Sequence, residues 1–77
     1  MSIKVRYFAS LKDQVGRSED ELKTKNALTV LDVWQQLNPQ INMPESVLAA
    51  VNMDYVAMNA KVNEGDEVAF FPPVTGG

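Results

Sequence analysis

Residues 3–8, Ile-Lys-Val-Arg-Tyr-Phe, alternate in polarity, with Ile3, Val5 and Tyr7 on one side and Lys4 and Arg6 on the other. A period of two predicts a half-buried strand. Phe8 breaks the alternation and marks the hand-over to the next element. Ser10 reads as the N-cap of a short helix. Phe8, Leu11 and Val15 are spaced for one side of it, and Gly16 suits its left-handed end. The polar run at residues 17–21, leading to Leu22, reads equally as a solvated edge strand or a loop. Thr29 caps a second helix, and Asp32 in its first turn favours the positive end of the dipole. Val30, Val33, Trp34 and Leu37 give that helix an apolar stripe, which places Trp34 in the core. Asn38-Pro39 stops it, because the residue before a proline avoids helical angles.

Residues 38–46 hold two prolines and two asparagines and read as loop. Residues 48–51 predict a short buried strand, 52–54 a turn, and 55–58 a further strand. Val62 follows an irregular connection. Residues 63–66, Asn-Glu-Gly-Asp, predict a turn in which Gly65 takes positive φ, and residues 67–71 the final strand. The order is β, short α, β, α, β, β, β. The first and last strands carry the strongest patterns and belong in the sheet centre. The expected architecture is an α+β roll, a mixed sheet of about five strands with one main helix packed across it. A chain of 77 residues allows one domain, 1–77, with residues 72–77 as a flexible tail. A domain this small buries roughly 60% of the surface of its unfolded chain.

Composition narrows the chemistry. The sequence has no cysteine and no histidine. Thiolate metal sites, disulfides and Ser-His or Cys-His catalysis are therefore closed to it, and no metal or bound cofactor is expected. Ten acidic and seven basic residues give a net charge of −3. The basic residues are scattered rather than gathered on one face, which disfavours nucleic acid as a partner. The N-terminus lacks the layout of a signal peptide, and no apolar run approaches the roughly 20 residues needed to cross a bilayer. A cytoplasmic protein without a membrane partner is the expectation. Asp13 with Asp20 or Glu21 reads as solvated charge rather than a catalytic carboxylate pair. The acidic turn Glu64, Asp66 and Glu67 reads most simply as a solvated hairpin end, with contact to basic residues of an activating enzyme as a second reading.

The last residues are the most specific. Glu67-Val-Ala-Phe-Phe71 meets Pro72-Pro73, then Val74-Thr75, then Gly76-Gly77. Adjacent strand residues face opposite sides. One of Phe70 and Phe71 is therefore exposed, and Phe71 is favoured, with Phe8 and Tyr55 beside it as a docking surface. The prolines cannot continue a central strand and favour extended backbone. Glycines let a tail thread a narrow channel.

Four segments, residues 3–9, 11–16, 48–52 and 65–77, make the sequence resemble the ubiquitin-like β-grasp sulfur carriers. Within these it is most similar to the MoaD family, the small subunit of molybdopterin synthase. The resemblance implies a carrier whose Gly77 carboxylate, with Gly76 as its necessary neighbour, is adenylated by an E1-like (MoeB-like) partner using ATP. It implies conversion to a thiocarboxylate with sulfur from a sulfurtransferase, and sulfur donation to cyclic pyranopterin monophosphate on a MoaE-like large subunit in a heterotetramer. On this reading the chain is not an enzyme by itself. Phe8, Tyr55, Phe71, Pro72, Pro73, Val74 and Thr75 would meet the partners. A carrier for thiamine or tRNA thiolation and a ubiquitin-like protein modifier are the alternatives.

Overall fold

The structure, a computed structural model, describes residues 2–26 and 28–73. The chain runs β1 (Ser2–Tyr7), α1 (Ser10–Val15), β2 (Glu19–Lys23), β3 (Leu28–Thr29), α2 (Val30–Leu37), β4 (Leu48–Val51), β5 (Asp54–Val56), β6 (Lys61–Val62) and β7 (Glu67–Phe71). Five strands form one sheet in the order β2-β1-β7-β4-β5. β1 and β7 pair in parallel and the other neighbours are antiparallel. This is the α+β roll with a mixed sheet that the pattern predicts, with β7 at its centre and β1 beside it.

The register stacks the core. Val5 lies opposite Val68, which lies opposite Val51. One row on, Tyr7, Phe70 and Ala49 line up in the same way. Ile3, Val5, Tyr7, Val68 and Phe70 are buried. α2 covers this face with Val30, Val33 and Trp34, all buried. Its start is a capping box: Thr29 Oγ1 accepts from the Asp32 amide, and the Thr29 amide donates to Asp32 Oδ2. The next two amides, of Val30 and Leu31, donate to the carbonyls of Ala60 and Met58. Trp34 donates its indole N–H to the Ile41 carbonyl at 2.9 Å. Its ring meets Phe70 edge-on at 5.1 Å and Tyr7 at 5.9 Å, while Tyr7 and Phe70 stack at 6.1 Å.

A polar clamp ties the end of α2 to the β1–β2 flank. Tyr7 and Asn38 are both buried. Tyr7 donates its hydroxyl to Asp20 Oδ2 at 3.1 Å and accepts from Asn38 Nδ2 at 3.0 Å. Arg17 donates to Asp20 at 2.7 Å and also to the Asn38 side chain. Burial, with the Asp20 carboxylate nearby, holds the Tyr7 phenol above its ordinary pKa. The Tyr7 hydroxyl and Asp20 together raise that of Arg17.

The structure corrects several local expectations. Ser10 is not a cap. Ala9 holds the capping position without a side-chain hydrogen bond, and Ser10 is the first helical residue. Phe8 does not share the buried side of α1 with Leu11 and Val15, since it is 45% exposed. The run 17–21 resolves into an edge strand from Glu19. Val62, for which no strand is predicted, belongs to β6, which pairs with β3 in a separate two-stranded ribbon. Two-residue strands are too short to carry a period, so composition could not announce them. The turn at 63–66 joins that ribbon to the main sheet and is therefore not a hairpin end. It is closed by bonds from the Asn63 amide and the Asn52 side chain to Asp66.

Two outcomes are expected. Phe70→Ala should cost about 3–5 kcal/mol, much of the stability of roughly 4–12 kcal/mol that a domain of this length has, read as a lowered urea midpoint. The second concerns alkali. As pH climbs, the unfolded chain's tyrosine ionises first, near 10, while buried Tyr7 stays protonated. Stability is therefore full below that pH and falls as pH rises through the higher folded value. Urea midpoints across this alkaline window should fall, and less steeply in Tyr7→Phe.

Candidate functional site

No element among the described residues covers the face of the sheet away from α2. Strand parity places Lys4 and Arg6 of β1, Glu67, Ala69 and Phe71 of β7, Leu48 and Ala50 of β4, and Tyr55 of β5 on it. The register runs Arg6, Ala69, Ala50, Tyr55 across four strands, and in the next row Phe71 lies opposite Leu48. Tyr55 is 71% exposed and meets the Phe71 ring edge-on at 5.5 Å. Phe71 is half-buried, and Phe70 fully so. The Phe8 amide donates to the Phe70 carbonyl at 3.0 Å, which carries the β1–β7 ladder one residue further and sets Phe8 beside Phe71. Pro72, half-buried, and Pro73, exposed, follow at once.

Phe8, Tyr55, Phe71, Pro72 and Pro73 thus gather where β7 ends and the chain leaves the sheet. Val74, Thr75, Gly76 and Gly77 lie outside the described residues. Leu48, 37% exposed, belongs to the same patch and was not legible beforehand. In Leu-Ala-Ala-Val every residue is apolar, so no alternation tells its outward side chain from its inward ones. The parity of Phe71 across the ladder is the signal that finds it. The acidic turn lies at the other end of β7, about 15 Å away at strand rise, and is not part of the patch. There Glu67 pairs with Arg6 at 3.5 Å, both well exposed, a contact of small energetic weight. The carboxylates imagined as a catalytic pair are committed elsewhere. Asp20 is held by Tyr7 and Arg17, and Glu21 accepts from the Ser2 hydroxyl.

Among the described residues no cluster of three or more potential ligands is placed to hold a metal ion. No helix among them is long and apolar enough to cross a membrane. Chemically the patch offers apolar surface for burial, set around the point where the last segment departs.

A mixed sheet with parallel first and last strands and one helix across it defines a ubiquitin-like β-grasp protein. SAMP1 from Haloferax volcanii superposes with a TM-score of 0.78 over the whole of both chains at 24% identity. Subunits 1 and 2 of the molybdopterin-converting factor from Helicobacter pylori have been solved as a complex. A chain of that complex matches with a TM-score of 0.62, also over the whole of both chains, at 21% identity. Identities this low speak for the fold alone. The chain belongs to the ThiS family, which it matches over residues 5–77. It is 38% identical over 81 residues to the molybdopterin synthase sulfur carrier subunit of Escherichia coli, covering 97% of this chain and 99% of that one.

The Tyr55 ring packs on Phe71 from the open side only. Tyr55→Ala should therefore lower stability by less than about 1.5 kcal/mol, far less than Phe70→Ala, in the same urea titration.

Proposed function

We propose that the chain is the sulfur carrier subunit of a molybdopterin synthase. The observation that carries this is the apolar patch of Phe8, Leu48, Tyr55 and Phe71 at the root of a segment ending in Gly76-Gly77. Full-length likeness to the Escherichia coli carrier subunit supports it.

A carboxylate is a poor acyl donor until one oxygen becomes part of a leaving group. The Gly77 carboxylate attacks the α-phosphate of ATP on a MoeB-like activating enzyme, releasing pyrophosphate and leaving an acyl-adenylate. The terminal sulfur of a sulfurtransferase persulfide displaces AMP to give an acyl disulfide, and a thiol reductant cleaves its S–S bond to leave the thiocarboxylate. The loaded tail then enters a MoaE-like large subunit and gives its sulfur to cyclic pyranopterin monophosphate. Two such transfers complete the dithiolene. The groups that bind the pterin and move protons sit on the large subunit, so this chain donates sulfur without being the catalyst. It binds no cofactor, ATP being consumed on the activator. It works in the cytoplasm and, paired with its large subunit, in a heterotetramer.

The division of labour follows the geometry. Aromatic residues at the sheet end bury against the partner, where such anchors contribute most. Pro72 and Pro73 carry the chain off the sheet in extended form, which lowers its ordering cost on insertion. Val74 and Thr75 span the entry, and the two glycines pass where a β-carbon would not. Activator and large subunit both need this tail and so bind in turn.

Incubation with ATP, an activating enzyme and a sulfur source should shift the intact mass by one sulfur-for-oxygen exchange at the terminus. Deleting Gly77 should abolish that shift and molybdopterin formation together. If molybdopterin still forms without Gly77, the reading is wrong. Covalent ladders on other proteins would make the chain a modifier instead. Phe71→Ala should weaken large-subunit binding about tenfold or more, with the protein still folded.

A further inference from the structure

The five-stranded sheet ends in two edge strands, β2 and β5. In an antiparallel pair, successive residues turn their N–H and C=O alternately toward and away from the partner strand. The hairpin between β4 and β5 has two turn residues, Asn52 and Met53, with φ of 50° and 72°. It closes on the Val51–Asp54 pair. Those two residues exchange bonds, and the next pair, Ala50 and Tyr55, does not. The β7 side agrees. The Asn52 amide donates to the Glu67 carbonyl at 2.8 Å, and by the same alternation Ala50 bonds toward β7 rather than β5. The N–H and C=O of Tyr55 therefore point off the edge of the sheet. No bond from outside the sheet reaches either among the described residues.

The two edges differ in chemistry. On β2, the Tyr7 amide donates to the Ser18 carbonyl at 2.9 Å, so alternation turns the backbone of Glu19, Glu21 and Lys23 outward. Their charged side chains flank that edge, a common device against further strand pairing. On β5 the outward residue is Tyr55, uncharged, exposed and in ring contact with Phe71. A stable subunit interface engages about 20–30 residues a side, far more than the aromatic patch supplies. It has to extend past the patch, and β5 borders the patch without the charges of β2. We infer that the large subunit lays an extended segment along β5. Its backbone accepts from the Tyr55 N–H and donates to the Tyr55 C=O, while the Tyr55 ring is buried with Phe71. The two bonds set the partner's register, and the rings supply the buried area. The inference rests on the carrier reading above and deepens it.

Two measurements on the full chain test it. Amide hydrogen exchange is followed at Tyr55 and Glu21, free and in complex with the large subunit. Both amides should exchange fast in the free chain, and Tyr55 alone should slow in the complex, by about tenfold or more. Total synthesis of the 77-residue chain then replaces single amides by esters, which removes one N–H and keeps the side chain. The ester at Tyr55 should speed dissociation from the large subunit about two- to tenfold, the worth of one hydrogen bond. The same swap at Glu21 should leave the rate at the parental value. Urea midpoints establish that both ester chains are folded. If Tyr55 stays unprotected in the complex, or if its ester dissociates at the parental rate, strand addition is refuted and the carrier reading stands. Protection of Tyr55 in the free chain that grows with concentration, together with a doubled mass, would put a second copy on β5 and refute it likewise. If the parent chain binds no large subunit at all, the carrier reading falls and the inference with it.

Discussion

The parallel pairing of β1 with β7 sets everything else. Parallel neighbours cannot be joined by a tight turn, so the chain between them has to leave the sheet and return. α2 lies on that route and closes the core from one side. The same pairing fixes which side is which. Tyr7 against Phe70 and Val5 against Val68 direct four apolar side chains at α2. A slip of one residue would turn Phe70 out and Phe71 in, emptying the core and dismantling the open patch together. Core and candidate docking face are thus two readings of one register.

The aromatic trio and the polar clamp make that register costly to disturb. Trp34 reaches Phe70 and Tyr7 from the helix, and the Tyr7 hydroxyl is locked between Asn38 and Asp20. A buried hydroxyl or amide left without a partner costs about 1–3 kcal/mol, so alternative placements of the α2 end are disfavoured strongly for so small a domain. Exposed ion pairs such as Arg6–Glu67 add little. The effect is a tied-down body whose open apolar patch, among the described residues, surrounds the end of β7.

A carrier that visits two partners in turn benefits from this layout. On the proposed reading the anchoring surface is shared and the reacting group belongs to the tail rather than to a side chain. The sequence holds no cysteine or histidine, so a Cys-His or Ser-His acyl site is closed to its side chains.

Much of this was legible in the residues. Alternation in 3–8 and 67–71, the stripe of 30–37 with its Thr29 cap, and the positive-φ glycines at 16 and 65 arise from local periodicity and sterics, which a sequence states directly. The outward placement of half-buried Phe71 beside a buried Phe70 followed from parity alone. Other features waited for the tertiary structure because they depend on which segments meet. β3 and β6 exist only as each other's partner. Asn38 looked like a mere helix stop until Tyr7 and Arg17 closed around it from 31 and 21 residues away. Leu48 joined the patch through its register with Phe71. The sequence by itself determined the elements, their inward faces and the chemistry open to the terminus. Long-range pairing decided which outward faces became one surface, since a strand's partner is not written in its own period.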